Sequence, residues 1–267
     1  MVVISFTNLK GGSSKSTTAF NLAGALAEAG YRVMVMDLDP QCTISWRFFG
    51  IEPPTGDETF SRCLLEDGLL DELVRSTSYE GLWVIAADDG LKIIKSGQAQ
   101  IEGGELRLRS CLERYRVSGR PRVDLVLCDN PPSLDRLTMN SLAASDYVLL
   151  PVDPGAGGRG ALNDTLDYIN AARKWYNPSL KILGLLVNNI KPYTIYDQAT
   201  EQVVREIYGQ LVFETVIPTS VRVREAAERQ TPLAFCPSRE YGRYAEYYRQ
   251  LRSEVVERLG WGEGHGR

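Results

Sequence analysis

The sequence predicts an α/β fold, a mostly parallel sheet with helices on both faces, and three observations carry that prediction. Short apolar, β-branched runs alternate with longer amphipathic stretches almost without interruption, which is the pattern of strands joined by crossover helices. The first run ends in a glycine pair followed by Lys15 and Ser16. Two later runs end in aspartate, at Asp37 and Asp129. Ligands of open α/β sheets bind beyond the carboxyl ends of the strands, so the three endings point to one site.

The elements follow in order. Residues 2–6 (VVISF) are β-branched, apolar and bounded by polar positions, hence a buried strand. Residues 17–28 place Phe20, Leu22, Ala23, Leu26 and Ala27 at helical spacing. Residues 31–37 form the second strand, and a polar region with helical patches at 58–75 precedes a third at 82–87. A charged helix is expected over 102–116, a buried strand over 123–129, a helix over 133–144 and a strand over 147–152. Helix 157–175, strand 182–188, helix 199–208 and strand 211–217 come next, then helices at 221–229 and 239–259. Residues 1–260 read as one domain, with 261–267 (WGEGHGR) as a frayed tail.

Composition narrows the function. Of the 267 residues, 43% are apolar and 24% charged, as in a globular protein. A net charge of −4 offers no global attraction to nucleic acid or anionic lipid, so such contacts must be local. Cys42, Cys63, Cys111, Cys128 and Cys236 lack paired spacing, and read as reduced packing residues of a cytoplasmic protein. One histidine, His265, leaves no basis for histidine catalysis or a zinc site. No apolar run approaches the length of a signal or membrane-spanning segment.

The stretch 2–18 carries the chemistry. Strand, glycine turn and helix in that order let backbone N–H groups and a helix N-terminus hold a phosphate chain. Gly11, Gly12, Ser13, Ser14, Lys15, Ser16 and Thr17 would form that cradle. Lys15 would reach the β/γ-phosphates and the Ser16 hydroxyl would sit on Mg²⁺. The spacing is not the ordinary phosphate loop, because Ser14 stands where it has glycine. It is K-G-G-x-x-K-[ST]-T, opened by a second lysine, Lys10.

That pattern resembles the deviant Walker A motif of the ParA/MinD group of P-loop ATPases, which implies a P-loop NTPase fold and the cofactors ATP and Mg²⁺. By the resemblance, Lys10 crosses a dimer interface to the nucleotide of the other subunit. The family has Gly or Ala at the position of Ser14. Asp37-Leu38-Asp39-Pro40-Gln41 resembles the family's A′ motif, implying that Asp39 orients the attacking water and Asp37 supports the metal. Two neighbouring carboxylates need a cation or a reacting group between them, which a metal–nucleotide supplies. Asp129-Asn130-Pro131-Pro132 resembles the Walker B and switch II segment, with Asp129 holding Mg²⁺ through water.

Later motifs extend the likeness. Gly184–Asn189 resembles the strand whose terminal asparagine reads adenine; Asn188 and Asn189 both qualify, since an amide offers one donor and one acceptor edge. Val216-Ile217-Pro218 resembles the loop that packs on the base, which makes Pro218 a nucleotide contact. Segments 151–160 and 77–120 depart from the family pattern. Together the motifs imply an ATP-dependent homodimer that binds DNA non-specifically, takes a ParB-type adaptor and works in the cytoplasm on the nucleoid.

A membrane-bound relative of the MinD type would need a basic, bulky amphipathic C-terminus, whereas this one alternates Glu and Arg before a polar tail. An iron–sulfur carrier would need paired cysteines. A tyrosine-kinase reading could use Tyr241, Tyr244, Tyr247 and Tyr248, but their spacing is that of a packed helix face. A nucleotide-gated scaffold with negligible turnover is the non-enzyme alternative. Between Ser220 and Arg252 stand seven arginines against four glutamates. Arg222 and Arg224, beside the Pro218 loop, are therefore the expected DNA contacts, because a guanidinium fork suits phosphate.

Overall fold

The computed structural model describes residues 1–66, 68–98, 104–153, 158–191 and 195–262. The expected helix starts at 102 and 157, the glycine-rich 154–157 and His265 lie outside the described residues.

β1 (Val2–Phe6), β2 (Val33–Asp37), β5 (Leu125–Asp129), β6 (Tyr147–Val152), β7 (Lys181–Ile190) and β8 (Ile217–Pro218) belong to one parallel array. β4 (Leu82–Ile85) adds to it in parallel, and β3 (Val74–Ser76) pairs antiparallel at the edge. The strand order is β3-β4-β2-β5-β1-β6-β7-β8. Side chains alternate across the sheet, as the two-residue period of a strand requires. Ile4, Phe6, Val33 and Val35 join the core beneath α1 (Lys15–Glu28), while Val3, Met34 and Met36 join the core on the other face.

On the first face α1 lies between the sheet and α9 (Ser238–Arg258), with α8 (Val221–Glu228) beside them. Phe20, Leu22 and Leu26 of α1 have no exposed surface, each such burial being worth about 1.5–3 kcal/mol. Gly24 is required here, because a Cβ would stand 2.3 Å from the Pro232 Cβ. The opposite face carries α2 (Phe60–Glu66), α3 (Leu91–Lys95), α4 (Arg107–Ser118), α5 (Arg136–Ala144) and α6 (Gly158–Trp175). α7 (Ile195–Tyr208) precedes the final strand.

Two expectations need correction, and two elements appear that had none. Residues 211–217 do not form a full strand: one bridge joins Leu185 to Val212, and β8 begins only at Ile217. The Glu254 carboxylate on α9 accepts from the Glu214 and Thr215 N–H groups, which takes both donors out of any ladder. The region 58–75 holds the expected helical patches, α2 and a 3-10 turn at Leu70–Leu73, and adds edge strand β3 at its end. A π-helical turn, Thr43–Phe48, follows the Asp37–Gln41 segment and had no sequence signal. Trp261 is not part of a frayed tail, since its ring stacks on Tyr31 at 5.7 Å. The tyrosine expectation holds: Tyr241 and Tyr248 are fully buried, and Tyr244 and Tyr247 pack against the same core.

Candidate nucleotide site

Register explains the site. Across parallel strands Asp37 pairs with Asp129, and Phe6 pairs with Asp129 from the other side. The three strand endings therefore sit side by side at one edge, with the phosphate loop above them. The N-cap of α1 is Ser14, which adopts φ 63 and ψ 29. This left-handed conformation costs an L-residue about 1–2 kcal/mol and explains why a small residue occupies the position. No side chain caps α1 and its first turn holds no acid. Its first backbone N–H groups thus keep their capacity for an anion. Gly12 is also left-handed, at φ +77.

Lys15 is buried, and its ammonium donates to the Asn8 carbonyl at 3.0 Å. Burial lowers its pKa, while Asp129 and Asp39 pull it back up. Asp37 has no exposed surface and both oxygens are occupied: Oδ1 accepts from the Asp39 N–H at 3.0 Å, and Oδ2 from the Ser45 N–H and hydroxyl at 2.9 and 2.7 Å. Asp39 keeps 9% of its surface exposed, its Oδ1 accepting from the Gln41 N–H at 3.1 Å. Asp37 thus anchors the loop that presents Asp39, and the two carboxylates differ in what they can still bind.

Asp129 differs again. It has no exposed surface and neither oxygen has a hydrogen-bond partner within bonding geometry. Asn130 Oδ1 and Ser13 Oγ are likewise buried and unpartnered. Leaving such groups unmet costs about 1–3 kcal/mol each, more for a charge. A divalent cation beside Asp129 fits this donor set. Among the described residues no three His, Cys, Asp or Glu side chains cluster as metal ligands. Mg²⁺ itself takes one or two carboxylates and draws its remaining ligands from phosphate and water.

Burial, reinforced by Asp37, pushes the Asp129 pKa from 3.8 up to about 8, against smaller pulls from Ser16 and Lys15. Burial also raises Asp37, despite its donors from Ser45. A carboxyl that binds its proton more tightly when folded adds stability below the unfolded pKa, and this is lost as pH rises through the folded value. The Asp129 contribution to the stability of the metal-free protein should therefore decline as pH climbs from 3.8 to about 8. Asp129→Asn should flatten that decline and raise Tm at the alkaline end, by about 2–4 °C per kcal/mol recovered. Melting curves in chelator check this; a variant profile parallel to wild type would take the Asp129 charge out of the account.

Lys10 makes a 3.4 Å ion pair with Asp153 of its own chain, and its N–H donates to Asn8 Oδ1. The expected reach to a second subunit is therefore not the conformation of the single chain. Beyond the loop lies a cavity of about 430 Å³, lined by Ser14, Thr17, Asn188, Asn189 and Pro218 among others. Asn188 is buried and donates to Thr18 Oγ1 at 2.7 Å, which leaves its amide oxygen uncommitted by that bond. Asn189, at φ 57, reaches back to the Gly12 carbonyl at 3.2 Å.

Arg222 and Arg224 do not share a surface. Residues two apart on a helix point to different sides. Arg222 pairs with Glu225 at 2.7 Å and lies 5.9 Å from the Tyr241 ring, while Arg224 lines the cavity. Sequence reasoning also missed Asn8, Asn130 and Asp153, which organise Lys10, Lys15 and the Asp129 turn. Only Asn130 had a signal, its place in the Asp-Asn-Pro-Pro run.

Comparison with known proteins agrees with this geometry. Residues 1–182 match the family model described as AAA domain. The chain is 33% identical over 259 residues to the sporulation initiation inhibitor protein Soj of Bacillus subtilis, covering 95% of this chain and 98% of that protein. It is 34% identical over 262 residues to the chromosome partitioning protein ParA of Caulobacter vibrioides, covering 96% and 94% respectively. Among solved structures, cobyrinic acid a,c-diamide synthase from Mycobacterium smegmatis with bound ADP and magnesium has a TM-score of 0.80. It is 25% identical and covers 100% of this chain and 97% of its own.

Proposed function

Since the chain belongs to the ParA/Soj family of chromosome- and plasmid-partitioning ATPases, we propose that it hydrolyses Mg-ATP as a switch for DNA-bound cargo transport. The observation that carries this is the buried, unpartnered Asp129 carboxylate set between Asp37 and the phosphate loop. Such a group suits a metal–triphosphate better than it suits a structural role.

Ser16 and Asp129 would hold Mg²⁺, with Asp37 fixing the neighbouring loop; the bound ion supplies charge neutralisation at the phosphates. Lys15 exchanges the Asn8 carbonyl for phosphate oxygens, and the cradle from Gly11 to Thr17 offers backbone N–H groups. Asp39 orients water. The base enters the cavity between the Asn188 strand and Pro218. Two subunits meet face to face around ATP, with Lys10 released from Asp153 to complete its partner's site. The dimer binds DNA without sequence preference, and a ParB-type adaptor stimulates hydrolysis and release. Among the described residues no helix is long and apolar enough to cross a membrane, and we place the protein in the cytoplasm on the nucleoid.

DNA contact falls to Arg222, which is exposed at the first turn of α8. Its pair with Glu225 spans three residues at the surface, a contact that phosphate can replace. In the ATP-trapped dimer, log affinity for DNA should fall against log salt with slope roughly −0.9 per phosphate neutralised. Arg222→Glu should abolish that binding on every sequence while Mg-ATP affinity stays at the wild-type value. An unchanged salt slope in the variant removes Arg222 from the DNA face. A trapped wild-type dimer that ignores DNA replaces the partitioning role with that of a nucleotide-gated scaffold.

A further inference from the structure

The cavity beyond the phosphate loop holds three groups that no motif explains. Arg47 of the π-helical turn and Arg224 of α8 both line it, so two arginines from separate elements border one cavity. Neither makes an ion pair with a described residue, unlike Arg222 one turn-face away. Tyr248 comes up from α9. It is 1% exposed, and its hydroxyl has no hydrogen-bond partner. The Asn21 amide stands near that hydroxyl but outside hydrogen-bond geometry, donating to the Thr17 carbonyl at 2.9 Å and accepting from the Leu233 N–H at 2.9 Å.

A buried phenol without a partner is worse for the fold than phenylalanine, because the hydroxyl is desolvated for nothing in return. Guanidinium planes stack on nucleobases and their N–H groups serve ring nitrogens and sugar oxygens. We propose that Arg224 and Arg47 clamp the base and sugar of the bound triphosphate, with the Tyr248 hydroxyl completing the contact at the cavity floor. The proposal rests on the nucleotide reading of the site and adds to it the residues that grip the nucleoside half. It moves Arg224 from the DNA face to the nucleotide. It also ties base occupancy to α8, the helix that carries Arg222, and to the turn whose Ser45 holds Asp37.

The test separates the two halves of the ligand. Calorimetry compares Mg-ATP with Mg-tripolyphosphate, which has the phosphates without the nucleoside, in the absence of DNA. Arg224→Ala should weaken Mg-ATP about two- to thirty-fold and leave tripolyphosphate unchanged. Tyr248→Phe should weaken Mg-ATP about three- to ten-fold, again sparing tripolyphosphate, while the ligand-free Tm holds or rises. A structural role for Tyr248 would lower that Tm instead. Equal losses for both ligands, or wild-type affinity for Mg-ATP in both variants, overturn the clamp. Lys15→Ala is the control: it should lose both ligands. A wild type that binds neither ligand refutes the ATPase reading itself rather than the assignment of these three residues.

Discussion

Replacing Lys15 with alanine is expected to reduce Mg-ATP affinity at least 10- to 100-fold while the protein stays folded. The ammonium is buried at the phosphate loop beside Asp129 and Asp39, where water screens it poorly. A hydrogen bond to a charged partner is worth about 1.5–3 kcal/mol, which is that range for a single contact. A lysine reaching both β- and γ-phosphates loses more. The fold tolerates the change because burial already lowers the Lys15 pKa, so in the ligand-free protein the charge is an expense rather than a support. Calorimetry and a melting curve together decide the matter. Near-wild-type affinity would remove Lys15 from the site, and a collapsed Tm would assign it to the fold.

Asp39→Ala should bind Mg-ATP and dimerise yet turn over about 10²- to 10⁴-fold more slowly, the usual contribution of a positioned acid–base group. The geometry separates this residue from its neighbour. Asp37 is enclosed by Ser45 and the Asp39 N–H, so removing it would unpick the loop. Among the described residues the Asp39 carboxylate is held by the Gln41 N–H. Lys10→Ala should instead retain nucleotide and fail where two subunits are needed, since its own-chain contact is a part-exposed pair with Asp153. Light scattering with ATP tests both variants. An Asp39→Ala protein that stays monomeric, or a Lys10→Ala protein of undiminished turnover, contradicts the scheme.

Sequence by itself determined what is local and periodic. The alternation that makes a parallel sheet, the loop from Lys10 to Thr17, and the acids closing β2 and β5 all lie in contiguous runs, where backbone preference and apolar period act directly. The packed tyrosines of α9 were legible for the same reason, from their spacing alone. The divergence of Arg222 and Arg224 was available too, in helix geometry, but a count of arginines concealed it.

Tertiary structure alone decided the rest. Nothing in the chain says that Asp37 and Asp129 are register partners; that follows from β5 inserting between β2 and β1. Strand order is chosen by how whole faces pack, and packing is a sum over distant side chains. The expected strand at 211–217 failed for that reason, because Glu254 of α9 took the N–H groups that a ladder would have used. Arg47 and Tyr248 meet one cavity from the second and last helical segments of this face. Their sequence neighbourhoods are those of a surface turn and a packed helix. What they can touch is fixed by the close approach of α1, α8 and α9, and no local preference encodes that approach.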